Sequence, residues 1–164
     1  MGHLATTIWI ICYFAVLLGL AGYGIHRYTM IFLYWRNRRK KPEPLSEFKD
    51  LPSVTVQLPI FNELHVVERL ISAVSNLDYP KDRLQIQILD DSIDETKQIC
   101  EAEYAKLIES GFDVELIHRD DRLGYKAGAL ENGMESAKGE YIYILDADFV
   151  PEPDVLHQMI HCFD

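Results

Sequence analysis

The sequence predicts an α/β unit, a mostly parallel sheet with flanking helices, preceded by an N-terminal transmembrane helix. Three observations predict it. From Ser53 onward, short runs rich in β-branched and aromatic residues alternate with helical periodicity, the rhythm of right-handed βαβ units. The polar residues that stand out fall just after the strands, where open α/β sheets bind ligands. Ahead of all this, Leu4 to Ile25 contains no charged residue.

The elements follow in order. About 20 apolar residues in a helix cross a hydrocarbon core of roughly 30 Å. The apolar character resumes after His26-Arg27 with Tyr28 to Trp35, so residues 1–35 are assigned to the anchor. Trp9, Tyr23, Tyr28, Tyr34 and Trp35 suit the membrane interfaces. Arg36, Arg38, Arg39, Lys40 and Lys41 follow at once. By the positive-inside rule they hold that end, and the rest of the chain, in the cytoplasm. This predicts an integral protein of a plasma, inner or Golgi-type membrane. A cleaved signal peptide would carry its basic residues before the apolar run, not behind it. Residues 36–52, with Pro42, Pro44 and Pro52 among charges, read as a linker.

Residues 53–164 carry the α/β unit. Strands are predicted over Val54–Leu58, Leu84–Leu89, Val114–His118 and Tyr141–Leu145, with Pro59 ending the first. Helices are predicted over Glu63–Asn76, Asp94–Ser110, Lys126–Ala137 and Pro153–Phe163. The first places Val66, Val67, Leu70, Ile71 and Val74 on one face, and Gly111 ends the second. Four parallel strands with nothing closing the sheet make a small unit, so the chain is expected to be part of a longer product.

The net charge of −10 hides a split. Residues 1–50 hold seven Lys/Arg against three Asp/Glu; residues 51–164 hold nine against twenty-three. The basic part belongs to a lipid surface. The acidic part excludes nucleic acid as a partner, because phosphate backbones need clustered Lys/Arg. Cys12, Cys100 and Cys162 have no metal-ligand spacing and read as ordinary reduced thiols.

Four constellations sit at the strand ends. The last strand runs into Asp146-Ala147-Asp148, and alternation along an extended chain points both acids one way. Two aligned carboxylates there suit Mg²⁺ or Mn²⁺ that also carries substrate phosphates. The alternative is a strand end and a cap near Pro153. After the first strand comes Pro59-Ile60-Phe61-Asn62-Glu63, where Phe61 offers a stacking ring and Asn62 and Glu63 can hydrogen-bond a base or ribose, or cap a helix. After the second comes Asp90-Asp91-Ser92. One acid could accept from a uracil or guanine ring N–H, or Asp91, Ser92 or Asp94 could cap the next helix. Phospho-accepting receiver domains also pair acids at strand ends, but theirs follow the first strand and no anchor precedes them. After the third strand, Gly124-Tyr125-Lys126-Ala127-Gly128-Ala129-Leu130 puts Lys126 in a helix's first turn, against the dipole. That placement suggests an anionic partner such as a diphosphate; a solvated lysine is the alternative. His157 and His161, four apart, fit a surface helix as well as any ligand pair.

Together these segments resemble the family 2 glycosyltransferases with the GT-A, Rossmann-like fold. They are most similar to membrane processive β-glycan synthases: cellulose synthase and the cellulose-synthase-like glucomannan and mannan synthases. The match runs from about Ser53 to the end, with Phe149 and Pro151 flanking the acid pair. The resemblance implies an inverting hexosyltransferase that moves a sugar from a nucleotide-sugar donor, UDP-glucose or GDP-mannose, to a glycan acceptor. It implies that Pro59, Phe61, Asn62 and Glu63 line the base and ribose pocket, and that Asp90 or, preferably, Asp91 holds the base. Lys126 would contact the diphosphate, with Asp146 on the donor and metal side and Asp148 the direct ligand of Mg²⁺ or Mn²⁺. The general base and a Gln-x-x-Arg-Trp segment are expected beyond Asp164, so the chain is expected to be the donor-binding half, near inactive alone, with synthase partner subunits possible. The competing readings are a non-processive transferase to a lipid phosphate and a non-catalytic membrane-tethered binding protein.

Overall fold

The computed structural model describes residues 2–39, 48 and 50–163, which fall into two units, Met1–Glu43 and Pro44–Asp164. The first is helix α1 (Gly2–Asn37), 36 residues and so about 54 Å long, unbroken through His26-Arg27, with no buried residue. It is long and apolar enough to cross a membrane by length and composition. The hydroxyls of Thr6, Thr7 and Thr29 donate to the carbonyls of Gly2, His3 and Ile25 at 2.9–3.0 Å, so these polar side chains are satisfied within the helix. Of the predicted linker, Lys40–Glu47 and Lys49 lie outside the described residues. Phe48 and Leu51 already pack against the core of the second unit. Tyr79 Oη donates to the Pro52 carbonyl at 2.6 Å, and Arg83 reaches that of Leu51. The packed unit therefore starts before the Ser53 that composition suggested.

The second unit is built on strands β1 (Val54–Ile60), β2 (Leu84–Asp90), β3 (Asp113–His118) and β4 (Tyr141–Ile144). All pair in parallel, in the order β3-β2-β1-β4. Helices α2 (Val67–Ser75), α3 (Thr96–Glu109), α4 (Tyr125–Met134) and α5 (Val155–Ile160) connect or follow them, as predicted, with a 3₁₀ turn at Lys81–Arg83. The chain steps outward from β1 to β3, then returns to the other side of β1 for β4. That reversal makes β1 and β4 the topological switch point, where a crevice opens at the strands' carboxyl ends.

The two faces of the sheet are held differently. On one, Val56, Leu58 and Ile60 of β1 and Ile86 and Ile88 of β2 meet Leu70, Ile71 and Val74 of α2 and Cys100 and Leu107 of α3. Each large aliphatic side chain buried there stabilises by about 1.5–3 kcal/mol. The other face, under α4, is polar. Register sets Thr55 beside Gln85 and Gln57 beside Gln87. Their side chains hydrogen-bond in pairs, at 2.7 and 3.0 Å. Gln87 Nε2 also donates to the Gly133 carbonyl of α4 at 2.9 Å, and to Glu115 and Ser136.

Three local expectations change. Pro59 does not end β1, which runs on to Ile60. The Gln57 carbonyl accepts from Leu145 of the β4 segment, whereas that of Ile60 accepts from Asp91 beyond β2. Backbone alternation thus turns Pro59 toward β4 beyond that strand's last pair, where a missing N–H costs no ladder bond. Helix α2 starts at Val67 rather than Glu63, because Glu63–Val66 forms a turn whose Glu63 carbonyl accepts from both Val66 and Val67 at 3.0 Å. Strand β4 ends at Ile144, and Asp146 to Phe149 is a turn closed by Phe149 N–H on the Asp146 carbonyl at 3.0 Å.

Candidate functional site

A cleft of about 370 Å³ lies at the switch point. The exit of β1 brings Pro59, Phe61 and Glu63, and that of β2 brings Asp91. The segment entering α4 brings Arg122 and Lys126, and the turn after β4 brings Asp146 and Asp148. The two aspartates face the same cleft as predicted, but through a turn rather than an extended strand. Buried Leu145 and Ala147 alternate with exposed Asp146 and Asp148, which keeps both carboxylates outward.

Two predicted site residues brace the cleft and do not line it. Asn62 sits at φ 53°, in the left-handed region that asparagine tolerates. Its Oδ1 accepts from Ile93 N–H at 3.1 Å and its own N–H donates to Ser92 Oγ at 3.0 Å, tying the β1 exit to the β2 exit. Asp90 is buried with Oδ1 on Ser92 N–H at 2.9 Å and Oδ2 3.0 Å from His118 Nδ1. Consecutive residues at a strand end point to opposite sides, so only Asp91 reaches the cleft. Helix capping does not use Asp91 or Ser92; Asp94 Oδ1 accepts from Thr96 N–H at 2.9 Å at the start of α3.

Arg119 holds Asp91 by a two-pronged ion pair, Nε to Oδ1 at 2.8 Å and Nη2 to Oδ2 at 2.5 Å. The bond to Asp91 pushes the Arg119 pKa up from its ordinary value. Such forked pairs fix geometry as well as charge. Two further N–H groups of Arg119 donate to the carbonyls of Leu123 and Tyr125 at 3.1 and 3.0 Å. One guanidinium therefore fixes both Asp91 and the loop that enters α4. Gly124 turns that loop at φ 74°, and Gly128 lets it lie against α4: a Cβ there would come 2.0 Å from the Leu123 carbonyl oxygen.

Lys126 falls in the first turn of α4, as predicted, and forms an ion pair with Asp146 across the cleft. The guanidinium of Arg122 lies 3.2 Å above the Phe61 ring, so one face of the predicted stacking ring is already covered. Sequence reasoning missed Arg119 and Arg122. Their only signal was the alternating charge of Arg119-Asp120-Asp121-Arg122, which reads equally as a solvated loop. His157 packs its ring near Tyr79 and His161 near Phe48, as ordinary surface-helix residues do.

Four carboxylates (Glu63, Asp91, Asp146, Asp148) and two cations (Arg122, Lys126) face the cleft, so a bare polyanion would meet net negative charge. Among the described residues no three His, Cys, Asp or Glu side chains cluster to cage a metal. Two exposed carboxylates fit instead a hard cation that takes its other ligands from phosphate oxygens and water.

The profile of glycosyl transferase family 2 matches residues 55–164. The chain belongs to this family. Over 143 residues this glycosyl transferase family 2 chain is 42% identical to glucomannan 4-beta-mannosyltransferase 2 of Arabidopsis thaliana, an alignment covering 80% of the chain and 27% of that relative. It is 44% identical over 133 residues to the probable glucomannan 4-beta-mannosyltransferase 7 of Oryza sativa subsp. japonica, covering 74% and 23% respectively. The chain thus spans about a quarter of the length of these curated relatives. A mannosyltransferase of Pyrobaculum calidifontis, solved in complex with GDP-Man and Mn²⁺, superposes with a TM-score of 0.66 at 30% identity, covering 87% of this chain and 42% of that one. The family 2 fold expected from the sequence, GT-A with a mostly parallel sheet, is the fold found.

Proposed function

We propose that the chain is the donor- and metal-binding part of a membrane-anchored, inverting hexosyltransferase that extends a β-glycan. The observation that carries this reading is the cleft at the β1/β4 switch point, where Asp91, Lys126, Asp146 and Asp148 converge. Residues 1–35 anchor it, and residues 53–164 hold the nucleotide sugar on the cytoplasmic side. The relatives' mannosyltransferase names and the GDP-Man of the Pyrobaculum structure favour a mannosyl donor over a glucosyl one.

In this reading Phe61, Glu63 and Asp91 hold the base and ribose, while Asn62 and Asp90 keep the strand exits that carry them in place. Lys126 holds the diphosphate, exchanging the Asp146 carboxylate for phosphate oxygens. Asp148, with Asp146, holds Mg²⁺ or Mn²⁺, which when bound supplies Lewis-acid neutralisation of the leaving diphosphate. The acceptor's proton needs a general base, and that role is assigned to no residue of this cleft.

Calorimetric titration of the full chain in detergent tests the assignments. Asp148→Asn removes a charged ligand and is expected to abolish the Mn²⁺-dependent part of nucleotide-sugar affinity; unchanged affinity would remove Asp148 from the metal site. Lys126→Ala is expected to weaken a nucleoside diphosphate at least tenfold while sparing the free nucleoside. Equal losses for both would make the lysine structural.

A further inference from the structure

Two of the charged residues that face the cleft hold each other. Lys126, in the first turn of α4, forms an ion pair with Asp146, in the turn after β4. The partners stand 20 residues apart in sequence, on separate elements that both line the cleft, so the pair bridges it. Asp148 faces the same cleft without an ion pair among the described residues. Arg122, the other cation there, is stacked on Phe61 and takes no part.

The bridging side chains are 50% and 60% exposed. Ion pairs this wet shift an equilibrium by at most about fivefold, enough to bias the cleft and too little to lock it. The bias falls on both proposed ligands. With Asp146 held by Lys126, the cleft offers a hard cation one unpaired carboxylate of the two, with an ammonium beside it that repels the cation. With Lys126 held by Asp146, the cleft offers a diphosphate a neutralised lysine, with the charge of Asp148 close by. We propose that the Lys126–Asp146 ion pair is an autoinhibitory latch of the empty cleft, withholding a carboxylate from the cation and the lysine from phosphate. Each ligand alone then binds below the intrinsic affinity of its own site. Opening the latch for one ligand frees the group that the other uses, and by linkage the gain is mutual. This coupling belongs to the chain itself and adds to any direct contact between the ligands. The latch rests on the cation and diphosphate roles proposed above and adds how their site is regulated.

The test takes each ligand alone on the full chain in detergent, through the cycle of Lys126→Met, Asp146→Asn and the double variant. Both side chains are exposed, and near-ultraviolet circular dichroism checks that each variant folds as the wild type does. Mn²⁺ is titrated by the loss of its free paramagnetic signal. Lys126→Met is expected to tighten Mn²⁺ about threefold in the wild-type background and by less than about 1.5-fold in the Asp146→Asn background. Inorganic diphosphate is titrated by calorimetry with chelator present. Asp146→Asn is expected to tighten it about threefold in the wild-type background and by less than about 1.5-fold in the Lys126→Met background. No gain in the wild-type background would overturn the latch. So would a gain of the same size in both backgrounds, which would be plain removal of a charge. Binding of neither ligand by any of the four chains would overturn the functional reading and the latch with it.

Discussion

Arg119 donates to both oxygens of Asp91 and to two carbonyls of the loop before α4, so its removal strands a nearly buried carboxylate and loosens the loop at once. Breaking one side of a buried ion pair costs about 3–5 kcal/mol. Arg119→Met is therefore expected to lower stability by about 3 kcal/mol, read as the shift of the near-ultraviolet signal in urea; a loss below about 1 kcal/mol would show that Asp91 finds water instead. Cys100 gives a second test. Burial, with the charges of Asp90, Glu101 and Asp94 adding, pushes its thiol up to about 12. A group raised in the folded state contributes stability that is whole below its ordinary pKa, here 9.0, and is lost as pH climbs through about 12. At pH 8.5 iodoacetamide is expected to label exposed Cys162 and spare Cys100 until the chain unfolds. At this scale the sequence singled out Asp91, Lys126, Asp146 and Asp148 because each follows a strand or opens a helix, and the structure brings the four to one cleft. The preference for Asp91 over Asp90 came from the resemblance; the residues alone left both open, since which of two adjacent acids faces a cleft depends on where the strand ends. Arg119 and Arg122 were illegible because their partners are 28 and 61 residues away.

Helix α4 carries Lys126, and a polar surface positions it on the sheet. A Cβ at Gly133 would come 2.7 Å from Gln57 Nε2 and 2.9 Å from Leu89 Cδ2. Overpacking of this kind costs about 1–3 kcal/mol. Gly133→Ala is expected to lower the unfolding midpoint and also to weaken nucleoside diphosphate binding, because α4 must lift and take Lys126 with it. Lower stability at unchanged affinity would mean that the Lys126 end of the helix is held independently, by Gly128 and the Arg119 loop. The existence and order of strands and helices were legible, since β-branched runs and helical periodicity are local signals. Buried Thr55, Gln57, Gln85 and Gln87 were not, because polar side chains signal solvent until register pairs them across β1 and β2. The extension of β1 through Pro59 was hidden for a related reason. Whether a missing N–H costs anything depends on how far the neighbouring strand runs.

At the scale of the whole molecule, the charge split and the two units describe one division of labour. Helix α1 has no charged residue from Leu4 to Ile25, and the α/β unit is strongly acidic and carries the cleft. The chain is expected to stay in the pellet when membranes are washed at alkaline pH and to be released by detergent. Release by the wash alone would remove the anchor from the account. The parallel sheet and the long apolar helix were readable from pattern and composition; the ion pairs at the cleft, Arg119 with Asp91 and Lys126 with Asp146, needed the fold. In the proposed function this cleft binds a nucleotide sugar through a divalent cation. Equilibrium dialysis of labelled GDP-mannose and UDP-glucose against the detergent-solubilised chain, with Mn²⁺ or with chelator, tests it most directly. Saturable binding of at least one donor is expected, falling at least tenfold on chelation and in a variant carrying both Asp146→Asn and Asp148→Asn. Binding of neither donor, or equal binding with metal, with chelator and in that variant, would contradict it.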